Sequence, residues 1–396
     1  MELLYWFQDV REHLRVSQQR KALRQPRQGT DYTADRDTVQ RVVERLHPRR
    51  MRLRVADIVQ ETPTTKTFRL ERVDGPLPPF RPGQYVNLFV DVDGVLTSRP
   101  YSISSPPPGG ETEGQHCTLD LSIRDKPDGF VAPYLLNEVK VGDELESTGP
   151  SGTFYHEPLI DGEDLVFLAG GSGITPLMSI LRTTFGSEVP SPLRIHLLYG
   201  SRVPDDVIFG DELAELAANQ PGFRYSLVIS EPPASYEGLA GFLCADLIRQ
   251  QVGEVKGKTF YVCGPNVMYD FCLAALTELG VPRYKVKREL YGPPDDVTRE
   301  PGWPPDLSAG EIFQVEVEGR EAIQAAAGEP LLNSLERYGI VVPAVCRAGE
   351  CSACRIHLLS GRVFQPAHTG LRESDRQHGY IHACVSYPLQ DLKIRT

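Results

Sequence analysis

The stretch Cys346-Arg347-Ala348-Gly349-Glu350-Cys351-Ser352-Ala353-Cys354 sets three thiols in one short run, and a fourth, Cys384, follows further on. The Cys-x4-Cys-x2-Cys spacing with a distant fourth cysteine is that of a [2Fe–2S] ligand set. Two irons need four thiolates arriving from two directions, so a tight loop supplies three and a returning strand the last. Ala348, Gly349, Ser352 and Ala353 are small enough for the loop to wrap closely and turn its N–H groups toward sulfur. The competing readings are a structural zinc site and ordinary buried cysteines. Zinc knuckles usually pair two short Cys-x2-4-Cys motifs, and only one short pair occurs here.

The flanks extend the reading. Phe313–Val317 alternates as a strand does. The run Gly328-Glu329-Pro330-Leu331-Leu332-Asn333-Ser334-Leu335-Glu336-Arg337-Tyr338-Gly339 reads as a short helix closed by glycine. Residues 311–396 thus resemble a plant-type ferredoxin, which implies a β-grasp domain with Cys346, Cys351, Cys354 and Cys384 as metal ligands. A ferredoxin at the end of a 396-residue chain calls for an upstream source of electrons.

That length suggests two to four domains. The composition, 40% hydrophobic and 24% charged, is that of a globular protein. No apolar run is long enough to span a membrane, and the N-terminus lacks the basic region and cleavage site of a signal peptide. Cys117, Cys244, Cys263 and Cys272 are scattered without a disulfide framework, so the expected location is the cytoplasm. Charge is uneven, +8 over residues 11–54 against −16 over residues 55–310. An acidic body argues against nucleic acid as a partner.

Residues 1–50 read as a basic helical arm. Leu3, Leu4, Trp6, Phe7, Val10 and Leu14 approximate a helical stripe, and a second helical piece near Val39–Leu46 ends at Pro48. An appendage packed on the body, a partner or self-association segment, and a membrane-surface or nucleic-acid contact are all compatible with it.

Residues 51–160 carry short alternating runs, Leu53–Val59, Thr65–Leu70, Tyr85–Val90 and Thr118–Ile123, separated by turns such as Arg81-Pro82-Gly83; this pattern predicts an antiparallel barrel. Inside it lies Arg99-Pro100-Tyr101-Ser102. An aromatic ring can stack on an isoalloxazine, a neighbouring hydroxyl can bond its N5, and a guanidinium suits a phosphate. On its own the motif also fits a surface strand end; its place in a barrel, ahead of Gly149-Pro150-Ser151-Gly152-Thr153-Phe154, favours the flavin. Residues 161–290 then alternate strands and helices. The buried strand Asp164–Ala169 runs into Gly170-Gly171-Ser172-Gly173-Ile174-Thr175-Pro176 and a helix, the geometry that cradles a dinucleotide pyrophosphate. Strand Arg194–Gly200 ends at Ser201-Arg202, and strand Thr259–Val262 at Cys263-Gly264-Pro265. Val286–Leu290 is read as the last strand of this region.

On these motifs residues 51–290 are similar to the flavin and nicotinamide domains of the ferredoxin–NADP reductase superfamily. The resemblance implies that Gly129, Val131 and Ala132 meet the flavin pyrophosphate, although Ala132 stands where a serine is expected. FAD is the expected flavin, with FMN the alternative. It implies that Gly170, Gly171, Gly173, Thr175 and Pro176 hold the dinucleotide with Gly264 and Pro265. Ser201 and Arg202 would meet the adenosine ribose of NADH or NADPH, and Cys263 and Glu289 would line the hydride-transfer site with Ser102. Residues 291–310 read as a linker that five prolines hold extended.

The expected fold is therefore multidomain, α+β and α/β: a helical arm, an antiparallel flavin barrel, a parallel nicotinamide domain and a β-grasp ferredoxin. This order resembles phthalate dioxygenase reductase and related oxygenase reductases. It implies electron transport from NAD(P)H through flavin and a [2Fe–2S] cluster, one electron at a time, to a partner protein such as an oxygenase component. An electron-transfer subunit of a larger redox complex and a stand-alone diaphorase or quinone reductase share these motifs.

Overall fold

The computed structural model describes residues 36–108, 118–126, 129–187, 189–367 and 369–396. It divides into two units, residues 1–48 and 49–396. In the first, helix α1 (Arg36–Leu46) realises the expected second helical piece, with Val42, Val43 and Leu46 exposed. The expected stripe from Leu3 to Leu14 lies outside the described residues, as does Cys117. Among the described residues no helix is long and apolar enough to cross a membrane.

The second unit opens with six antiparallel strands, β1 (Met51–Thr62), β2 (Thr65–Arg72), β3 (Tyr85–Val92), β4 (Val95–Ser102), β5 (Thr118–Arg124) and β6 (Glu144–Ser147). Their order is β4-β3-β6-β1-β2-β5. The first and last meet where Ile103 bridges Leu121 and the Ser104 N–H donates to the Asp120 carbonyl at 2.8 Å, so the sheet closes on itself. The period-two pattern explains the interior: Met51, Leu53 and Val55 point in while Arg52 and Arg54 face water. The β3–β4 turn is Asp93-Gly94, both at positive φ (53° and 82°), as a tight two-residue hairpin demands. A short helix, α2 (Ala132–Asn137), covers one end with Leu135 and Leu136 buried.

Six parallel strands follow: β7 (Asp164–Gly170), β8 (Arg194–Ser201), β9 (Phe223–Ile229), β10 (Leu239–Ala240), β11 (Thr259–Cys263) and β12 (Val286–Glu289), in the order β10-β9-β8-β7-β11-β12. Helices α3 (Ile174–Phe185) and α4 (Gly210–Asn219) pack Leu177, Leu181 and Leu213 on one face against Phe167 and Leu197. Helices α5 (Ala245–Val252) and α6 (Asn266–Glu278) pack Ile248, Cys272 and Leu276 on the other against Val166 and Val262. Strand order reverses between β7 and β11, and in such sheets the crevice beyond the carboxyl ends at that point is where ligands bind.

The C-terminal region holds β13 (Ile312–Val317), β14 (Ile323–Ala326), α7 (Leu331–Arg337), β15 (Arg355–Ser360), β16 (Val363–Phe364), α8 (Glu373–Gln377), β17 (Tyr380–His382), β18 (Tyr387–Pro388) and β19 (Leu392–Arg395). Its main sheet, β14-β13-β19-β15-β17, pairs β13 and β19 in parallel, and α7 lays Leu331, Leu332 and Leu335 on the core. The segment 291–310 differs from the extended tether expected of it. Its prolines set turns, and Val297 and Trp303 are buried. Trp303 stands edge-on to Phe364 and Tyr387, with ring centroids at 5.3 and 6.3 Å, so apolar anchors fold the segment down as a strap.

Candidate functional site

The turns after β7 and β11 touch because both are glycine-rich. A Cβ on Gly173 would stand 2.1 Å from the Cys263 carbonyl oxygen, and one on Gly170 would stand 2.5 Å from the Met268 sulfur. Gly264 faces the same sulfur, and Gly171 sits at a φ of +51°. Thr175 donates to the Ser172 carbonyl at 2.9 Å, closing the first turn of α3, where Pro176 is buried. The structure thus gathers Gly170, Gly171, Gly173, Thr175 and Pro176 beside Cys263, Gly264 and Pro265.

Cys263 and Glu289 are register partners at the ends of β11 and β12. Between the two strands, the Tyr269 hydroxyl accepts from the Gly264 N–H at 3.1 Å and donates to the Glu289 carbonyl. Burial pushes the Glu289 carboxyl up to about 8; the Glu350 charge adds to this and the Tyr291 hydroxyl draws it partly back. Burial likewise raises the Cys263 thiol, with the Glu289 charge adding to it. A folded-state value above the unfolded one means that Glu289 favours folding most when protonated, and that this contribution is lost as pH rises from the ordinary carboxyl range through about 8. Glu289→Gln is expected to flatten the fall in melting temperature over that interval; an unaltered pH–stability curve would place the raised group elsewhere.

Tyr291, at the start of the expected linker, completes this corner. Its hydroxyl and the Ser102 hydroxyl lie 2.8 Å apart, and its ring meets Tyr85 edge-on at 5.9 Å. The available signal was its place two residues after Glu289, on the same side of an extended chain.

On β4, Tyr101 is half-buried against the barrel core. Arg99 donates from Nη1 to the Thr97 hydroxyl at 2.7 Å and the Ser98 carbonyl at 2.8 Å. Burial, and then the nearby Arg347 charge, pushes its guanidinium down to about 10. Two guanidiniums share this corner with one carboxylate, Glu336, which takes Arg347 as its partner. Gly129 closes a turn onto the Lys126 carbonyl, buried Val131 precedes α2, and Ala132 begins it with no side-chain cap. Ser201 is turned inward, its hydroxyl shared between the carbonyls of Val203 and Asp206, both at 3.1 Å. Arg202 is exposed, 4.0 Å from Glu231.

The barrel is tied to the parallel sheet by buried polar contacts. Asp206 accepts from Thr62 at 2.6 Å and Thr64 at 2.7 Å, and pairs with Arg124. Ser179 donates to the Ser105 carbonyl at 2.7 Å.

The four cysteines form two pairs. Cys354 and Cys384 have their sulfurs 3.2 Å apart, and Cys346 accepts from the N–H groups of Ala348 and Cys351, both at 3.4 Å. The Cys346 hydrogen bond holds the Cys351 thiol down to about 6, and the Cys384 bond lowers Cys354 in the same way. Positive φ at Arg347, Gly349 and Ser352 winds the loop. Two thiols for each of two irons fit the arrangement. Burial, and then the Glu289, Cys346, Cys351 and Glu350 charges, raise the Tyr85 phenol. Arg288 meets Glu350 at 3.3 Å, so the loop abuts the end of β12.

Family models match in order: an oxidoreductase FAD-binding domain at residues 52–156, an oxidoreductase NAD-binding domain at 167–273, and a 2Fe-2S iron-sulfur cluster binding domain at 315–389. NADH oxidoreductase HCR of Escherichia coli is 30% identical over 341 residues, 86% of this chain and 96% of the relative. The glycine betaine monooxygenase reductase subunit of Chromohalobacter salexigens is 28% identical over 360 residues, 87% and 95%. The ferredoxin reductase component of the 3-ketosteroid-9-alpha-monooxygenase of Mycobacterium tuberculosis is 29% identical over 355 residues, 86% and 94%. Phthalate dioxygenase reductase shares the fold, with a TM-score of 0.63 at 20% identity over 88% of this chain and 98% of its own.

Proposed function

The chain belongs to the NAD(P)H-dependent iron–sulfur flavoprotein reductases, and on that premise we propose that it is the reductase component of an oxygenase system, feeding a separate oxygenase protein. The observation that carries this reading is the seat of the cluster loop. Glu350, beside Cys351, pairs at 3.3 Å with Arg288, the neighbour of Glu289, and Arg347, beside Cys346, bonds Thr97 on β4 at 2.9 Å, in a chain that covers nearly the full length of reductases named for monooxygenases.

When bound, FAD takes the two electrons of a nicotinamide hydride and the [2Fe–2S] centre hands them on singly. The chain's residues bind and orient. Tyr101 offers a stacking face, Ser102 a hydroxyl for the flavin N5, and Arg99 a guanidinium that has no carboxylate partner among the described residues. Gly129, Val131 and Ala132 present backbone to the pyrophosphate, one hydroxyl short of the related motif. Gly170, Gly171, Gly173, Thr175, Pro176, Gly264 and Pro265 line the dinucleotide crevice. Arg202 reaches toward the adenosine end, while the Ser201 hydroxyl braces the backbone of that loop. Cys263 and Glu289 wall the place where nicotinamide meets flavin, with Tyr291 holding the Ser102 hydroxyl. Cys346, Cys351, Cys354 and Cys384 hold the cluster.

The test is reconstitution: NADH or NADPH, this chain and an oxygenase that copurifies with it, with substrate-dependent oxygen uptake as the readout. Rapid quinone or ferricyanide reduction with no oxygenase accepting electrons would make it a stand-alone diaphorase instead. Ser102→Ala is expected to slow flavin reduction by roughly tenfold to a hundredfold, the worth of a hydrogen bond to a charged group. The visible spectrum of the cluster should stay as it is; an unchanged reduction rate would remove Ser102 from the reaction.

We place the protein in the cytoplasm, since all seven described cysteines are free thiols and four must stay reduced to bind iron. The basic arm, residues 1–50, is assigned to self-association or acceptor docking, on the contrast of its charge with that of the body. Its removal should leave ferricyanide reduction intact while changing either the sedimentation coefficient or the affinity for the acceptor. Loss of ferricyanide reduction in a folded truncation would contradict that assignment.

A further inference from the structure

The cluster loop is bound to the barrel by a buried polar seam that the reaction described above leaves unused. Arg347 stands between Cys346 and Ala348 and is 4% exposed, and its carboxylate partner Glu336 is 8% exposed. Arg347 Nη2 also donates to the hydroxyl of Thr97, on β4, at 2.9 Å. That hydroxyl donates to Glu336 at 2.9 Å and accepts from Arg99 at 2.7 Å. Three residue pairs along the β3–β4 ladder, Asn87 on β3 is wholly buried, donating to Ser98 at 3.0 Å and to the Ala344 carbonyl, just ahead of the first cysteine, at 2.8 Å. The loop is therefore fastened to the barrel on the N-terminal side of Cys346, through Ala344, and on its C-terminal side, through Arg347.

We infer that Arg347, with Glu336, Thr97 and Asn87, is a positioning device for the flavin-to-cluster step: it fixes the Cys346–Cys351 side of the loop on the barrel, so that the ferredoxin region does not travel between reduction and transfer. A buried ion pair is a poor source of net stability, and a severed one leaves an uncompensated charge. Its use here is geometric. Two long side chains and one hydroxyl, bonded to one another, hold the loop at one register against β4. The pairing spans 250 residues of sequence, so chain connectivity alone does not impose it.

The experiment compares the full-length holoprotein with two variants. One is the double change Arg347→Met with Glu336→Leu, which replaces the ion pair with apolar side chains of similar size. The other is Asn87→Ala, which frees the Ala344 carbonyl and lies outside the cluster loop. Iron and sulfide content, flavin reduction by NADH and the subsequent flavin-to-cluster step are each measured, the last at several solvent viscosities. In the wild type the step should be independent of viscosity. In the variants iron, sulfide and flavin reduction should hold, while the step slows by roughly tenfold to a hundredfold, as ångström-scale misplacement does, and acquires a viscosity dependence. Amide hydrogen exchange over 344–348 should rise in parallel. A viscosity-dependent step in the wild type overturns the inference, as do variants with full iron content and unchanged kinetics. If the double variant loses iron, Asn87→Ala decides by the same readings. Loss of iron in both overturns it too, since the seam would then serve cluster retention rather than placement.

Discussion

Cys384→Ser is expected to cut reduction of cytochrome c, or of the natural acceptor, by more than about a hundredfold while ferricyanide reduction continues. Even changes around a metal site's ligands cost up to about a hundredfold, and this change removes a ligand. Cys384 is buried with its sulfur 3.2 Å from Cys354, so its loss strips one iron of half its thiolate set. The hydroxyl left behind is a harder, poorer ligand for iron in a sulfur site. Among the described residues the Cys384 sulfur bonds Cys354, whereas it is Glu350, beside Cys351, that reaches the end of β12 through Arg288 at 3.3 Å. Flavin content and the NADH reduction rate should therefore stay near wild type. Ferricyanide takes electrons from the flavin directly, which is why it serves as the control. Full cytochrome c activity in a variant shown by iron and sulfide analysis to lack its cluster would break the linear path from nicotinamide through flavin to iron.

Gly173→Ala should act at the opposite end, slowing flavin reduction by NADH by about a hundredfold, the cost of an ångström-scale misplacement. The added methyl would stand 2.1 Å from the Cys263 carbonyl oxygen, 2.4 Å from its carbon and 2.6 Å from the Gly264 nitrogen. These are backbone atoms at the end of a buried strand, with no rotamer to escape into. The turns after β7 and β11 must part, and with them the crevice that receives the dinucleotide. Overpacking of this kind also costs about 1–3 kcal/mol of stability, readable as a lower melting temperature. The cluster spectrum should be unaffected. A variant with wild-type kinetics and melting temperature would show that the two turns are slack.

Local patterns make most of this architecture legible in the sequence. The cysteine loop is set by spacing within one short run, and the crevice by glycines that follow a strand and precede a helix. Each rests on neighbours in sequence, where steric rules are strong. The barrel was readable from alternation along β1, β2, β3 and β5. What escaped was long-range or conditional. The seam of Asn87, Thr97, Glu336 and Arg347 consists of polar residues that look like solvated surface until two distant segments bury them together. Tyr291 reads as linker because glycine and proline follow it, whereas its hydroxyl meets that of Ser102. Ser201 stands at a strand end as a ribose ligand would, and no local pattern shows that its hydroxyl also donates to two carbonyls of its own loop. The prolines of 291–310 suggested a rod because composition reports stiffness and does not report what a single tryptophan will seek.

That tryptophan also decides where the chain can be cut. Val297 and Trp303 belong to one apolar cluster with Ala327, Phe364 and Tyr387. A fragment begun at residue 311 would uncover that cluster and should aggregate or lose its iron. One begun ahead of Val297 carries its own lid. On the other side, a flavoprotein fragment ended before Tyr291 would leave Ser102 and Tyr85 without their neighbour. A cut that spares both the Trp303 cluster and Tyr291 is therefore expected within Gly292–Asp296, a narrow window on the near side of Val297.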